Sequence, residues 1–167
     1  MLRNLLSCLI CFATVSVIAA DAAAPMNLLK PVAKEESWRF EQHEGGKGKL
    51  QVSDESVTLT STEIDGTDWH IQAFQIGLDL KDDASYTISF EAKSPERRAV
   101  IVVAGVDQDD YHEIGLHEEI FATSVEFKKY EFTFTASGTA AGKNRVGFVL
   151  GTETGSVTIK NLQLVKK

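Results

Sequence analysis

The chain has 167 residues, with 17 Lys and Arg against 24 Asp and Glu, and a formal net charge of −7. This negative balance argues against nucleic acid and anionic lipid as partners, because both attract basic surfaces. The two cysteines, Cys8 and Cys11, stand near the start. A chain that loses its leader therefore has no thiol for a disulfide, a metal site or nucleophilic catalysis.

The first segment has the parts of a secretory signal peptide. Arg3 gives a positive start, residues 5–20 are almost wholly apolar, and small residues follow up to Ala24. The apolar run is too short and too early for a membrane span of about 20 residues. A lipid anchor on Cys8 is the alternative, although only a few apolar residues precede it. We predict a signal peptide over residues 1–22, a secreted or periplasmic mature chain, and no membrane attachment after cleavage.

Residues 23–167 have the length of one domain. Residues 30–36 could form a turn of helix, and the glycine-rich run 44–48 indicates a loop. Beyond it, short apolar stretches alternate with polar residues at period two, which is typical of strands. The stretches are residues 50–52, 57–60, 70–76, 86–92, 100–106, 111–116, 127–135, 145–150 and 157–165.

Turn residues separate these stretches, and no amphipathic helix lies between them, so a parallel sheet would lack its crossover helices. The pattern predicts an all-β fold, a jelly-roll type antiparallel β-sandwich of about nine strands, in one domain over residues 23–167. Alternation assigns an inward set to the core between the two sheets. This set is Ile71, Ala73, Tyr86, Ile88, Phe90, Val100, Val102, Phe132, Phe134, Val146, Phe148, Leu150, Val157, Ile159, Leu162 and Leu164.

Several segments, taken in order, carry a family resemblance over nearly the whole of residues 23–167. They are NLL (27–29), DWHIQAFQIGLDL (68–80), YTISFEAKS (86–94), the Arg97-Arg98 pair, YHEIGL (111–116), YEFTFTA (130–136), RVGFVLG (145–151) and GSVTIKNLQL (155–164). Together they resemble the family 4 and 9 carbohydrate-binding modules. The resemblance implies a jelly-roll sandwich that binds β-glucan, xylan or a related polysaccharide, and a glycoside hydrolase as the usual companion.

Two departures from the family pattern bear on metal binding. The asparagine, aromatic and glutamate run common after the first strand is not recognisable between Pro31 and Phe40, and Lys160 replaces an acidic residue often found in the last strand. The resemblance implies a structural calcium ion, whereas calcium requires several oxygen ligands and an ammonium group offers none. We therefore expect no cofactor and no metal site.

A sugar site needs an aromatic surface for the apolar C–H face of the ring and polar groups for its hydroxyls. Trp69, His70 and Gln72 offer both on one stretch. Strand alternation, however, places Trp69 on the opposite face from His70 and Gln72. Either Trp69 lies at the mouth of the strand and points over the sheet edge, or His70 and Gln72 alone face the ligand.

Other polar and aromatic residues extend this candidate site. Residues 68–94 predict two neighbouring strands of one sugar-binding sheet around a short acidic turn, and Glu91 occupies the polar face of the second strand. Arg98 begins the strand after it, where its guanidinium could donate two parallel hydrogen bonds. Tyr111 and His112 follow an acidic turn, where the tyrosine could add a second stacking surface. An ordinary solvated sheet face is the alternative interpretation of these residues.

The sequence names no catalytic residue. It has no G-x-S-x-G turn, P-loop or dinucleotide glycine pattern, and the two histidines of HEIGLH (112–117) are one residue too far apart for a zinc-protease helix. We predict a secreted, non-catalytic module that binds a polysaccharide or oligosaccharide. The alternatives are a cell-surface sandwich that binds a protein partner, which a buried Trp69 would favour, and a small glycoside hydrolase or its accessory subunit.

Overall fold

The structure is a computed structural model that describes residues 25–122 and 124–167. The predicted signal peptide at residues 1–22, with Cys8 and Cys11, lies outside the described residues. Within the described ranges, no helix has the length and apolar character that a membrane span requires.

Strands make up almost all of the regular structure in the described part of the chain, with two single-turn 3-10 helices at Glu35–Ser37 and Asp68–His70. The ten strands are β1 (Arg39–Gln42), β2 (Lys47–Val52), β3 (Ser56–Glu63), β4 (Ile71–Leu78), β5 (Ser85–Lys93), β6 (Arg98–Val106), β7 (Glu113–Ala122), β8 (Lys128–Thr135), β9 (Asn144–Val149) and β10 (Gly155–Lys166). Their number is one higher than predicted, because the short β1 carries too little alternation to stand out in sequence.

The strands form two five-stranded antiparallel sheets. The first sheet has the order β1-β4-β9-β6-β7, and the second has the order β2-β3-β10-β5-β8. Within the described residues, β2 with β3 and β6 with β7 are the pairs of consecutive strands, and the other pairings join strands that are distant in sequence, as in a sandwich of jelly-roll type. The predicted all-β sandwich is confirmed.

The core lies between the sheets and contains the whole inward set predicted from alternation, with Phe132 partly buried at its edge. Phe148 links the two sheets, because its ring meets Phe90 edge to face at 5.2 Å and Trp38 at 6.2 Å. Such contacts between inner faces stabilise a sandwich chiefly by removing apolar surface from water.

Strands β4 and β5 belong to different sheets, although the sequence suggested two neighbouring strands around a short turn. Gly77 has a positive φ of 79°, and the register between β4 and β9 shifts between Ile76 and Leu78. Beyond this irregularity, Leu80 is buried in the core. The connection between β4 and β5 therefore crosses from one sheet to the other, and polar residues of the two strands do not share a face.

Candidate functional site

A cleft of about 490 Å³ opens on the outer face of the first sheet. Its floor and flanks belong to three rows of residues that cross the sheet. The rows are two positions apart along each strand except in β7, where a register shift places the second and third rows four positions apart. The first row is Glu41, Gln72, Val149, Ile101 and Glu119; the second is Arg39, Phe74, Gly147, Val103 and His117; the third is Ile76, Arg145, Gly105 and Glu113. At about 3.3 Å per residue, the first and third rows lie roughly 13 Å apart, which is room for more than one sugar ring.

The floor of the cleft is apolar and forms a second hydrophobic cluster, separate from the core. It consists of Phe74, Ile101, Val103 and Val149, with Ile76 beside them. Gly147 lies between Phe74 and Val103 in the middle row, where a Cβ atom would come within 2.9 Å of the Phe74 ring. The Phe74 ring therefore packs over the backbone at Gly147, where no larger residue fits.

Trp69 stands at one end of the cleft. It belongs to the 3-10 helix Asp68–His70 immediately before β4, and its side chain is 49% exposed. The ring of His70 meets the indole edge to face at 4.2 Å, and the ring of His43 lies 5.4 Å from it. Trp69 therefore takes the first of the two predicted positions, at the mouth of the strand. Because it precedes β4, strand alternation does not place it on the opposite face from Gln72.

His70 supports this end of the cleft from behind. Its ring is buried, and its Nδ1 atom lies 2.6 Å from Asp65 Oδ2. Asp65 also accepts hydrogen bonds from the backbone N–H groups of Gly45 and Thr67. The hydrogen bond with His70, together with these backbone donors, lowers the pKa of the Asp65 carboxyl below its usual value.

The turn that carries Trp69 is attached to a neighbouring loop through Gly151. The Gly151 N–H donates to the Asp68 carbonyl at 2.8 Å, and a Cβ atom on Gly151 would lie only 2.4 Å from that same oxygen. The preceding residue, Leu150, donates its N–H to the Ile71 carbonyl and accepts at its own carbonyl from Arg98 Nη2 at 2.7 Å. Hydrogen bonds of this loop thus connect Arg98 to the turn that carries Trp69, although Arg98 does not reach the cleft.

Tyr111 stands at the other end of the cleft, in the loop between β6 and β7. It has a positive φ of 46° and is 53% exposed. Its neighbour His112 points away, with Nδ1 2.8 Å from Asp110 Oδ2 and Nε2 2.7 Å from the Gly138 carbonyl. The Asp110 carboxylate and the Gly138 carbonyl raise the pKa of His112, and His112 in turn lowers the pKa of Asp110.

Polar side chains line both flanks of the cleft. On the β1 side, Glu41 is paired with Arg39, whose Nε lies 2.7 Å from Glu41 Oε1, and the Gln72 amide reaches Glu41 Oε2 at 3.5 Å. On the β7 side, Glu113 pairs with His117 Nδ1. These groups offer hydrogen-bond donors and acceptors around an apolar floor, the combination that binding of sugar rings requires.

Arg145 rises from β9 between these flanks and is only 7% exposed. Its guanidinium lies over the Phe74 ring at 4.2 Å and over the Tyr111 ring at 5.0 Å. Burial lowers the pKa of Arg145, with Glu41 acting in the opposite direction. A guanidinium remains charged in proteins, so the cleft holds a largely desolvated cation.

The structure brings together three of the seven residues named from sequence: Trp69, Gln72 and Tyr111 line the cleft. His70 lies behind Trp69, and His112 lies beside Tyr111 but outside the cleft. His43 and His117, which the sequence analysis did not name as candidate binding residues, line the cleft instead.

Glu91 and Arg98 lie elsewhere in the fold. Glu91 is on the outer face of the second sheet, where it accepts a hydrogen bond from Asn161 and lies 3.5 Å from Lys160; both contacts lower its pKa. Arg98 is 1% exposed and donates to Glu153 O, Ser61 Oγ and Leu150 O at 2.6 to 2.8 Å. Neither residue forms part of the cleft, because Glu91 lies on β5 in the other sheet and the Arg98 side chain is buried within the fold.

Sequence reasoning missed Glu41, Glu113, His117 and Arg145. A signal for Arg145 was available, because Arg145, Gly147 and Val149 alternate with the core residues Val146 and Phe148. A second signal was β6, whose residues are buried on both faces. An antiparallel strand that is apolar on both faces indicates that its outer face is covered or forms a binding surface.

The calcium ion that the family resemblance implies would require several oxygen ligands. Within residues 25–122 and 124–167, no three His, Cys, Asp or Glu side chains are grouped so that they could hold a metal ion. Lys160 places its ammonium group 3.5 Å from Glu91 and 4.3 Å from the centre of the Phe127 ring. A cation in that position does not fit a calcium ligand shell.

The sequence profile of the carbohydrate-binding domain of module families 4 and 9 matches residues 34–154. The chain therefore belongs to this family of carbohydrate-binding domains, as the sequence analysis predicted. No curated protein matches the chain significantly in sequence.

Solved structures of such modules share the fold. A family 4 carbohydrate-binding module is similar with a TM-score of 0.69 and 19% identity, over 84% of this chain and 97% of the other. The second N-terminal cellulose-binding domain of Cellulomonas fimi β-1,4-glucanase C has a TM-score of 0.65 and 18% identity, over 89% and 99%. A xylan-binding domain of Paenibacillus barcinonensis Xyn10C has a TM-score of 0.57 and 12% identity, over 87% and 97%.

Proposed function

We propose that the chain binds a β-linked polysaccharide, such as a β-glucan or a xylan, non-covalently in the cleft of the first sheet. The observation that carries this proposal is the arrangement of two exposed aromatic rings, Trp69 and Tyr111, at opposite ends of an apolar floor. Sugar rings stack on the two aromatic side chains, and their hydroxyls exchange hydrogen bonds with Gln72 and the other polar groups of the flanks. The family membership and the cellulose- and xylan-binding neighbours support it.

The expected affinity is modest. A sugar ring that covers half of an indole removes roughly 100 Å² from water, which contributes about 2–3 kcal/mol before ordering costs. A second aromatic end and a few hydrogen bonds add a similar amount. The sum of roughly 4–6 kcal/mol corresponds to dissociation constants of about 40 µM to 1 mM.

A sandwich that binds a protein partner, the alternative function, would be favoured by a Trp69 side chain buried in the core. Trp69 is half exposed and faces the cleft instead. The position of its ring thus supports the sugar-binding proposal over this alternative.

We further propose that the module acts without cleaving its ligand, is exported, and works beside a glycoside hydrolase. The support is the signal-like residues 1–22, the family membership and the absence of a recognisable catalytic motif in the sequence. Incubation with xylo- and cello-oligosaccharides followed by chromatography tests the non-catalytic role. A cleavage product that disappears in a cleft variant would contradict it.

Affinity electrophoresis through gels that contain xylan, β-glucan, cellulose derivatives or mannan tests binding directly. The wild-type chain is expected to be retarded by at least one polysaccharide, and Trp69→Ala and Tyr111→Ala are expected to lose that retardation. Val125→Ala, which removes an exposed apolar side chain outside the cleft, is the control. Unretarded migration of the wild-type chain on every polysaccharide would refute the proposal.

A further inference from the structure

Arg145 is a buried cation that the described part of the protein leaves without a hydrogen-bond partner. Its Nε atom is buried and unpaired, and its nearest carboxylate oxygen, Glu41 Oε2, lies 4.0 Å from Nη1, beyond hydrogen-bond distance. A buried polar group without a partner is costly, and a buried charge more so, which is why such groups are rare unless they serve binding or catalysis. The position of Arg145 in the cleft suggests that a ligand supplies the missing acceptors.

The three acidic residues of the cleft are each engaged elsewhere. Glu41 pairs with Arg39 at 2.7 Å, Glu113 pairs with His117, and Asp68 accepts from the Trp69 backbone N–H at 2.7 Å. Arg39 cannot supply an acceptor to Arg145 either, because it is itself a cation. Both of its terminal nitrogens donate hydrogen bonds to Asp107. Hydroxyl groups of a neutral sugar would satisfy the N–H donors of Arg145, but its charge would then be compensated only by Glu41 at 4.0 Å, a carboxylate that it shares with Arg39.

Arg145 lies in the lining of the cleft, and its neighbour across the sheet in β6 is Gly105. A Cβ atom on Gly105 would stand 3.8 Å from Arg145 Nε and only 3.0 Å from the His112 carbonyl oxygen, so backbone closes this flank of the guanidinium. A ligand in the cleft would therefore approach the terminal nitrogens of Arg145. The rings of Phe74 and Tyr111 fix the group in place, so that its planar donor fork can be met by a planar acceptor.

We propose that the cleft selects a glycan that carries a carboxylate, a uronic acid unit or side group, and that this carboxylate pairs with Arg145 next to Tyr111. The inference rests on the proposed function and specifies its ligand class. A carboxylate supplies two coplanar oxygens and a negative charge, which together match the guanidinium in both geometry and electrostatics. Charge-assisted hydrogen bonds in a partly dry site are expected to raise the affinity about tenfold or more over a neutral counterpart.

The test compares each acidic polysaccharide with its own neutral form. Glucuronoxylan, alginate and polygalacturonate are used as such and after reduction of their carboxyl groups to alcohols, with neutral xylan, β-glucan and a sulfated dextran alongside. Binding is measured by affinity electrophoresis and calorimetry at low salt. The wild-type chain is expected to bind at least one native uronate polymer about tenfold more tightly than its reduced form, and Arg145→Gln is expected to bind the two forms equally.

Two further variants keep the result interpretable. Arg145→Lys retains the charge but loses the planar fork, so it is expected to keep only part of the preference. Glu91→Gln alters a charge on the other sheet and is expected to keep the whole preference. Thermal unfolding of each variant shows that a lost preference does not reflect a lost fold.

The outcomes separate the two proposals. Equal binding of native and reduced polymers by the wild-type chain would overturn the uronate inference and leave the proposed function standing. No binding to any polymer would overturn both. Binding of sulfated dextran as tight as that of the uronate polymer would show unselective attraction of anions and would also overturn the inference.

Discussion

Two regions of the molecule each hold a buried arginine, and the two side chains differ in their hydrogen-bond partners. Arg98 forms with Ser61, Leu150 and Glu153 a site that we call the junction, where its terminal nitrogens donate to three oxygen atoms at 2.6 to 2.8 Å. Arg145, in the cleft, is buried to a similar extent but meets only aromatic faces and a carboxylate at 4.0 Å. The difference teaches that burial alone does not identify a structural residue. The terminal nitrogens of Arg98 find acceptors within the described part of the chain and those of Arg145 do not, whereas the Nε atom of each arginine is buried without a hydrogen-bond partner.

The largest expected effect comes from removing the arginine of the junction. Arg98→Met should lower the free energy of unfolding by about 3–5 kcal/mol, because three buried acceptors lose a charged donor. Urea denaturation measures the change. A loss below about 1 kcal/mol would mean that the two arginines do not differ as described.

The next effect concerns the cleft. Trp69→Ala should weaken polysaccharide binding by about 2–3 kcal/mol, a factor on the order of 30 to 150, because the stacking surface is lost. Stability should change little, since half of the side chain is already in water. Calorimetric titration with oligosaccharides measures the affinity, with Val125→Ala as the matched control. Full affinity in Trp69→Ala would place the binding site elsewhere.

A third variant connects the two regions. Gly151→Ala should cost about 1–3 kcal/mol of stability, because its Cβ atom would collide with the carbonyl oxygens of Thr67 and Asp68 at 2.5 and 2.4 Å. The turn that carries Trp69 must then shift, and the affinity for polysaccharide should fall as well. Tryptophan fluorescence reports the shift, with Trp69→Phe as the background for the remaining Trp38. Unchanged affinity at reduced stability would show that the junction does not position the indole.

Arg145→Met should change the free energy of unfolding by less than about 1 kcal/mol, with a tendency towards a gain. The substitution removes a buried charge that has no close partner, and it loses a cation–π contact of similar size. Urea denaturation beside Arg98→Met makes the comparison direct. A loss as large as that of Arg98→Met would show that Arg145 has a structural role in the fold.

The smallest effect is a pH dependence at the Trp69 end. Because the folded state lowers the pKa of Asp65 below its unfolded value of about 3.9, its carboxylate stabilises the fold above that value. This contribution is lost as the pH falls through the lower, folded-state pKa. Asp65→Asn should therefore be less stable than the wild type at pH 6, and the gap should close in strong acid. A constant gap from pH 6 to pH 2 would exclude this linkage.

The fold was largely predictable from sequence because alternation directly reports which side chains enter the core. All sixteen residues of the inward set lie in or against it. The assignment of β4 and β5 to one sheet failed, since the crossover depends on a positive φ at Gly77 and on pairings between distant strands. Local sequence does not encode such pairings.

The candidate site was predictable only where a single segment carries it. Trp69 and Gln72 come from the same stretch, and their chemistry was recognisable there. Glu41, Arg145 and His117 belong to three strands that meet only through the order of the sheet. Arg98 was misplaced for a related reason, because an arginine at a strand start gives no sign that Ser61 and Glu153 will surround it.

The side chains of the cleft floor stand on neighbouring strands around Gly147. The width of the floor is therefore set by the spacing of the strands rather than by side-chain rotamers. Adjacent strands stand about 4.8 Å apart, and this spacing cannot be adjusted by substitution. Relatives that share the sandwich would then have the same strand spacing under the cleft floor. They would differ only in the side chains and loops at the margins of the cleft. In this chain, those marginal positions include Trp69, Tyr111 and Arg145. Substitutions that aim to change the ligand preference of the protein should begin with them.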